Sequence, residues 1–335
     1  MLTDSFQRKH DYLRVSITDK CNLRCNYCMP PEGIEFLSHD QVLRNEEFLH
    51  LIKIFVEMGI KKVRFTGGEP LVRKGFLDIL NKTRENFPDL ELALTTNGVL
   101  LKKYTQDLQR LNLKKINISL DSLSPENYQK ITGFNYLPQV IDNFESLLAT
   151  NFFDLKINAV LFKGTLEEID NFLEYFKDKK VLLRFIERMP FPGNELSPDF
   201  IPADHLIHLL VQKGRLSRNE PNDTQVAKMY TFFYRDKYKI NLGIIPPLTH
   251  NFCAQCNRLR LTADGSLKVC LHCSDEYNLK NKLRNQTDDV ILKQIISKAI
   301  NLKKKGHQLD CYAGNEGCFS ISNSSSQRPM SKIGG

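Results

Sequence analysis

The sequence lacks a hydrophobic run long enough to cross a bilayer. Its first residues, MLTDSFQRKHDY, also lack the apolar segment of a secretory signal. No repeat of the solenoid type is present, and the one biased stretch is the serine-rich segment 320–326. These absences argue against membrane-spanning and secreted classes, so we expect a cytoplasmic protein with no membrane partner. Hydrophobic residues make up 41% of the 335 residues, which excludes a disordered chain and allows one or two domains.

The chain also lacks an even number of cysteines, since it has nine. Disulfides are rare in a reducing compartment, so clustered cysteines there indicate a metal site. The net charge of +8 fits either a lysine-rich solvated surface or attraction of a polyanionic substrate, and charge alone leaves both open. The cysteine groups are Cys21, Cys25 and Cys28; Cys253, Cys256, Cys270 and Cys273; and Cys311 and Cys318.

Short apolar runs alternate with longer amphipathic segments through the first 190 residues. This alternation predicts an α/β fold with a parallel sheet. Six such units are too few for a closed eight-stranded barrel, so we expect an open, partial six-stranded βα barrel. The predicted strands are Tyr12–Ile17, Lys62–Phe65, Glu91–Leu94, Lys115–Leu120, Leu155–Val160 and Val181–Ile186.

Two helix starts can be predicted from local signals. Apolar residues at helical spacing predict a helix over Asn45–Met58, with Asn45 as N-cap and Gly59 as stop. Thr165 and Glu168 have the spacing of a capping box that opens the next amphipathic helix.

The alternation of short apolar runs and amphipathic segments ends after Pro190, which predicts a smaller C-terminal domain. We place the two domains at residues 1–225 and 226–335. The second is expected to hold a hairpin of Met229–Tyr234 and Lys237–Ile245, a cysteine-rich loop, and a helix near Asp289–Lys304.

The first cysteine group, in RVSITDKCNLRCNYCMP, directly follows the first predicted strand. In a βα barrel such loops lie at the face where active sites form. Three thiolates can hold three irons of a cubane cluster, whereas full ligation needs four, so one iron stays open for another ligand. Zinc is disfavoured here because its sites usually repeat Cys-x₂-Cys pairs at a distance.

The Cys-x₃-Cys-x₂-Cys spacing, with Tyr27 just before the last cysteine, resembles the signature of the radical S-adenosylmethionine (SAM) superfamily. The resemblance implies a 4Fe–4S cluster on Cys21, Cys25 and Cys28 that binds SAM and releases a 5′-deoxyadenosyl radical. It also implies that the GGEP loop after the second strand binds the methionyl amino group. The SAM-binding residues that it implies are Tyr27, Gly68, Ser119 and Met189.

The second cysteine group contains two Cys-x₂-Cys pairs, which by spacing alone also fit a zinc ribbon. The run CAQCNRLRLTADGSLKVC, however, resembles the second cluster motif of the GTP 3′,8-cyclase family, often called MoaA. The resemblance implies a second 4Fe–4S cluster on Cys253, Cys256 and Cys270, whose open iron binds the guanine base. Cys273, Cys311 and Cys318 are not part of the family pattern.

Basic residues lie where strands should be apolar. Arg258 and Arg260 alternate along an extended run, so both face one side and suit phosphate groups. Cations inside predicted parallel strands are unusual, and they would converge on a polyanion in the barrel. The GTP-binding residues that the resemblance implies are Arg14, Arg64, Thr95, Lys156, Arg258, Leu259 and Arg260.

The resemblance further implies a lyase that cyclises GTP to 3′,8-cyclo-7,8-dihydro-GTP through loss of the ribose 3′ hydrogen, the first step of molybdenum-cofactor synthesis. An external one-electron donor and a downstream cyclic pyranopterin monophosphate synthase are the implied partners, with no nucleic acid, and the chain is expected as a monomer or homodimer. The Gly334–Gly335 tail is implied to reach the active site, although composition alone fits a disordered end.

Two alternative functions remain open from the sequence. One is a peptide-modifying radical SAM maturase with an auxiliary cluster. The other, from a different class, is a zinc-ribbon nucleic-acid-binding protein, which explains the basic charge but neither the first cysteine group nor the GGEP loop.

Overall fold

The computed structural model describes residues 1–29, 33–191, 200–220, 226–307, 310–311, 321–322 and 328–334. None of the helices in these ranges combines the length and the apolar character that crossing a membrane requires. The strands are β1 Leu2–Thr3, β2 Lys9–His10, β3 Tyr12–Ser16, β4 Lys62–Thr66, β5 Glu91–Thr96, β6 Lys115–Ser119, β7 Asp154–Leu161, β8 Leu182–Glu187, β9 Gly214–Arg218, β10 Lys228–Tyr234, β11 Tyr238–Ile245, β12 Arg258–Leu261, β13 Ser266–Lys268, β14 Tyr277–Asn278, β15 Asp310–Cys311 and β16 Ile321–Ser322. The α-helices are α1 Asn45–Glu57, α2 Phe76–Asn86, α3 Leu101–Arg110, α4 Pro125–Thr132, α5 Leu137–Ala149, α6 Lys163–Glu167, α7 Ile169–Phe176, α8 Ala203–Lys213, α9 Leu279–Arg284, α10 Asp289–Asn301 and α11 Met330–Ile333.

The main sheet has twelve strands in the order β14-β13-β12-β3-β4-β5-β6-β7-β8-β11-β10-β9. The six predicted strands are β3 to β8, which pair in parallel and in chain order. Two further parallel strands come from later in the chain, since β12 pairs with β3 and β11 pairs with β8. The outermost strands β14 and β9 do not pair with each other, so the open, partial α/β barrel is confirmed, with two parallel strands more than predicted.

Side chains in the barrel strands alternate between the helical layer and the barrel interior. In β7, Leu155, Ile157 and Ala159 are buried under the helices, while Lys156 and Asn158 point to the opposite side. The apolar half of this pattern therefore builds the core, and the other half is left to form a site.

Helix α1 begins at Asn45, one residue earlier than an N-cap at Asn45 would allow. Arg44 is its N-cap, and the backbone N–H of Arg44 donates to Glu47 Oε2 at 2.7 Å. Asn45 is not the cap because its side chain is used elsewhere, accepting from Arg73 at 2.8 Å and donating to Asp78 at 3.1 Å. The predicted N-cap at Asn45 is therefore wrong.

The predicted capping box at Thr165 and Glu168 is also wrong. The chain turns at Glu168, which separates α6 from α7. The Glu168 carboxylate instead accepts from Ser122 Oγ at 2.8 Å and from the backbone N–H of Leu123 and Ser124 at 2.9 and 3.0 Å. It thus fixes the loop that leads from β6 into α4, a long-range role that local spacing cannot show.

The predicted hairpin is confirmed as β10 and β11, which pair antiparallel. Arg235 and Asp236 have φ angles of +50° and +55°, as a type I′ turn requires at both central positions. Strand β9 precedes residue 225 and pairs with β10 after it, so the sheet continues across the predicted domain boundary. The division at residues 225 and 226 stays a prediction.

Candidate active site

A cavity of about 640 Å³ runs inside the barrel along the parallel strands. Its lining includes Lys62 and Glu91, which begin β4 and β5, and Thr66 and Ser119, which end β4 and β6. The cavity therefore extends from one end of the strands to the other.

The first cysteine group lies at the carboxyl end of β3, where all three thiols line the cavity. Burial and neighbouring charges raise the pKa of Cys21 to about 11 and that of Cys28 to about 12. Burial, Asp121 and the other two thiols raise the pKa of Cys25 well above its usual value. Three thiols close enough to oppose one another's ionisation form one ligand set, which fits an inorganic group carrying positive charge.

The GGEP loop packs directly against the chain that leads into Cys21. A Cβ atom on Gly68 would lie 2.4 Å from the carbonyl oxygen of Lys20 and 2.6 Å from that of Asp19, so only glycine fits there. The backbone N–H of Gly68 donates to Thr18 at 2.7 Å, and that of Glu69 donates to Lys20 at 2.8 Å. This loop therefore holds the cysteine loop as well as facing the cavity.

The predicted SAM-binding residues gather on the same cavity. The Tyr27 hydroxyl donates to Asp121 Oδ2 at 2.8 Å, and Met189 Sδ lies 3.3 Å from His272 Nε2. Their role in binding SAM stays a prediction. The cavity-lining residues of this set are Tyr27, Gly68, Ser119 and Met189.

The second cysteine group lies at the opposite end of the same cavity. Strands β12 and β3 are parallel, with Arg258 beside Tyr12. Cys256 precedes β12 and so lies near the start of β3, whereas Cys21 follows its end, and β3 alone spans roughly 13 Å. Cys253, Cys256 and Cys270 all line the cavity.

The thiols of the second group differ in their electrostatic surroundings. Burial raises the pKa of Cys253. At Cys256 burial also raises the pKa, but the nearby charges of Lys303 and Arg258 outweigh it, so the pKa of that thiol falls below its usual value. A positively charged environment suits thiolate ligation at this end.

In the described part of the chain, no three His, Cys, Asp or Glu side chains surround a single metal position. Cys273 does not line the cavity, and its Sγ donates to Asp275 Oδ2 at 3.0 Å. Cys318 and the side chain of Cys311 lie outside the described residues.

Most of the residues predicted to bind GTP line the cavity between the two cysteine groups. They are Arg14, Thr95, Lys156, Arg258 and Arg260.

Arg64 and Leu259 do not line the cavity. The Arg64 guanidinium instead donates to Tyr12 Oη at 2.7 Å and to the Leu94 carbonyl at 2.5 Å. The Leu259 side chain is 0% exposed in the core, so any contact to a ligand would come from its backbone.

The cavity residues that the sequence analysis missed include Tyr12, Lys62 and Arg184. Arg184 interrupts the apolar strand LLRFIE, the same signal that identified Arg14 and Lys156, so it could have been found. Burial alone would raise the pKa of Tyr12, but Arg64, Arg14 and other cations lower it to about 7.

The cavity concentrates positive charge in a buried space. Burial, with repulsion among the cations, lowers the pKa of Lys156 to about 8, of Arg184 to about 9 and of Arg260 to about 10. Within the described ranges, the buried Nε atoms of Arg184 and Arg258 have no hydrogen-bond partner. Buried polar groups are normally paired, so these atoms fit a polar, anionic ligand.

The C-terminal tail reaches this cavity. The Gly334 carbonyl accepts a hydrogen bond from Arg260 Nη1 at 2.5 Å, and Met330 lines the cavity. Gly334 has φ +87°, and a Cβ there would lie 2.8 Å from Ser16 Cβ. Gly335 lies outside the described residues.

Comparisons with known proteins define the class. The family model described as "Radical SAM superfamily" matches residues 15–176, and "Molybdenum Cofactor Synthesis C" matches residues 181–309. The structure of Streptococcus suis SuiB bound to S-adenosylmethionine is similar in fold, with a TM-score of 0.61 and 17% identity over 86% of this chain and 68% of that one. With the cysteine loop and open barrel, these matches define a radical SAM enzyme, a class whose members carry a 4Fe–4S cluster and use SAM.

The family follows from full-length relatives. A Listeria monocytogenes protein named GTP 3′,8-cyclase is 39% identical over 100% of this chain and 99% of its own length. A Petrotoga mobilis protein of the same name is 40% identical over 91% and 94%, and a mitochondrial one from Arabidopsis thaliana is 37% identical over 100% and 84%. The chain belongs to the GTP 3′,8-cyclase family.

Proposed function

We propose that this chain converts GTP into 3′,8-cyclo-7,8-dihydro-GTP as a lyase in the first step of molybdenum-cofactor synthesis. The observation that carries the proposal is the set of cations that line the cavity between the two cysteine groups. A triphosphate would bring compensating negative charge to these cations and acceptor oxygens to the arginine forks. The cations include Arg14, Lys156, Arg184, Arg258 and Arg260.

Each end of the cavity has its own part in this proposal. Cys253, Cys256 and Cys270 would hold a second 4Fe–4S cluster with one open iron for the guanine base. The triphosphate would lie among the cations of β3, β7, β8 and β12, so the ribose would face the first cysteine group.

Cys21, Cys25 and Cys28 would hold the first cluster, and that cluster with bound SAM would supply the radical chemistry that replaces the ribose 3′ C–H bond with a bond to C8 of guanine, with electrons from the external donor. The protein orients the two ligands and keeps water away. Tyr27, Gly68, Ser119 and Met189 would hold SAM, with Tyr27 fixed by its hydrogen bond to Asp121.

The two alternatives explain less. A peptide substrate gives no reason for a cluster of cations inside the barrel. A zinc ribbon gives no reason for the first cysteine group or for a parallel barrel around both groups. An external electron donor, a downstream cyclic pyranopterin monophosphate synthase, a monomeric or homodimeric state, the absence of nucleic acid and a cytoplasmic location stay predictions.

An anaerobic assay tests the proposal. The reconstituted protein is mixed with SAM, a reductant and either GTP or a peptide, and 5′-deoxyadenosine is measured. We expect 5′-deoxyadenosine to form only with GTP, together with two clusters' worth of iron per chain. Its formation with a peptide but not with GTP would defeat the proposal.

A further inference from the structure

Lys303 is a buried ammonium group at the second cysteine group. It follows the end of α10, and only 4% of the residue is exposed. Its Nζ atom lies 3.5 Å from Cys256 Sγ and donates to the Arg258 carbonyl oxygen at 3.0 Å.

Among the residues that the structure describes, the charge on Lys303 has no acidic partner. Throughout the described ranges, no carboxylate lies within ion-pair distance of it. A buried charge without a counter-charge is costly, and such groups are normally paired. The negative group nearest to Lys303 is therefore Cys256 as a thiolate, together with whatever inorganic group that thiolate holds.

Arg8, from the N-terminal hairpin of β1 and β2, fixes the segment that carries Lys303. Its Nη2 atom donates to the Lys304 carbonyl at 2.7 Å, and its Nη1 atom donates to the carbonyls of Lys305 at 2.9 Å and Cys253 at 2.7 Å. Its Nε atom donates to Asp4 Oδ2 at 2.6 Å. One guanidinium thus ties the Lys303 segment to the loop of the second cysteine group.

We propose that Lys303 is the resident counter-charge of the second iron–sulfur cluster, acting through an N–H···S hydrogen bond to Cys256, and that Arg8 positions it. This inference rests on the proposed second cluster. Hydrogen bonds to cluster sulfurs and nearby charge both set a cluster's reduction potential. A positive donor at a ligand sulfur stabilises the reduced, more negative state, so Lys303 raises that potential.

The test uses the anaerobically reconstituted full chain. Lys303→Met removes the charge and the donor at similar length. Lys305→Met is the matched control, because it makes the same charge change two residues away, where the side chain is exposed. Iron per chain and the midpoint potential of each cluster are measured by EPR-monitored redox titration, and the first cluster is recognised by its response to SAM.

We expect Lys303→Met to shift the second-cluster potential to a more negative value, or to lose the iron of that cluster alone, while the first cluster matches wild type. Lys305→Met should match wild type at both clusters. Equal potentials and iron contents in the two variants would overturn the inference.

Two further variants complete the test. If Lys303→Met does not fold, Lys303→Gln keeps an N–H donor without the charge; a negative shift again supports the inference, and an unchanged potential overturns it. Arg8→Lys keeps the pairing with Asp4 but cannot span three carbonyls, so a smaller shift in the same direction is expected, and no shift overturns the role of Arg8.

Failure of the inference can be told from failure of the proposed function. If wild type and Lys305→Met each carry only one cluster, the proposal of a second cluster is wrong. If both carry two clusters and Lys303→Met changes neither potential nor iron content, only the inference fails.

Discussion

Lys156 is a cavity residue whose charge state changes near physiological pH. Burial, with repulsion from Arg184 and other cations, lowers its pKa to about 8. Below that pH it is an ammonium that attracts phosphate, and above it the attraction is lost. We therefore expect GTP binding to weaken, with its Kd rising, as the pH increases through 8. Calorimetric titration of the free enzyme with GTP between pH 7 and 9 measures this change.

Lys156→Arg is the matched variant for this prediction, because a guanidinium has a higher intrinsic pKa than an ammonium group and so keeps its charge to higher pH. Its GTP affinity should change less with pH than that of wild type. The Tyr12 phenol, with a pKa of about 7, also gains negative charge in this range, and Tyr12→Phe removes that contribution. An undiminished pH dependence in Lys156→Arg would show that Lys156 is not the titrating group.

Arg260→Ala should weaken GTP binding by about 10- to 100-fold, the loss that a charged hydrogen bond typically represents. Iron content should be unchanged, because Arg260 is in β12 and is not a ligand. Arg110→Ala, at an exposed site on α3 where Arg110 pairs with Asp107, is the control. Loss of iron in Arg260→Ala would make the residue structural instead.

The site residues that could be predicted share a local signal. Arg14, Lys156 and Arg260 are cations in apolar strands, and strand alternation fixes the side that they face. Arg64 has the same signal, but its guanidinium donates hydrogen bonds to Tyr12 and the Leu94 carbonyl. Such partners come from other strands, so only the folded structure reveals them.

At the scale of the elements, the C-terminal tail, residues 328–334, connects the segment that contains β12, β13 and β14 to the carboxyl end of β3. Arg328 pairs with Asp264 at 2.8 Å and with Glu276 at 2.6 Å, which anchors the segment that ends at Gly334. The Gly334 carbonyl then accepts from Arg260. The tail therefore helps to orient a residue that is proposed to bind the triphosphate.

Gly334→Ala should displace the tail, because its φ is positive and a Cβ would lie 2.8 Å from Ser16 Cβ. We expect turnover of GTP to fall by about tenfold, as Arg260 loses a hydrogen-bond acceptor, while iron content stays unchanged. Gly306→Ala is the control, since nothing lies within 4 Å of a Cβ there. Equal turnover in both variants would show that the tail does not act through its fit.

The element order of the barrel was predictable, but its full width was not. Alternation along the chain gives β3 to β8, because each strand carries its own apolar pattern. The pairing of β12 with β3 joins residues 258–261 to residues 12–15. Local pattern contains no information on such a distant partner, so the sheet was expected to end at β3.

For the whole molecule, the continuous sheet implies that the two predicted domains depend on each other. Removal of residues 226–335 would leave β3 and β8 as unpaired edges and would uncover the apolar faces against β11 and β12. Long unpaired edges promote aggregation. Buried Glu187 would also lose the N–H groups of Leu248 and Thr249, at 3.0 and 3.1 Å.

We therefore expect the fragment 1–225 to aggregate and the full chain to unfold in one cooperative transition, measured by sedimentation and by denaturant titration. Loss of partners at a buried carboxylate alone costs about 1–3 kcal/mol, and the exposed apolar strand faces add to this. Glu187→Gln in the full chain isolates the carboxylate, because the sheet stays complete. A soluble, folded 1–225 fragment, or two separate transitions in the full chain, would mean that the barrel is stable without the strands that the later half adds to both of its edges.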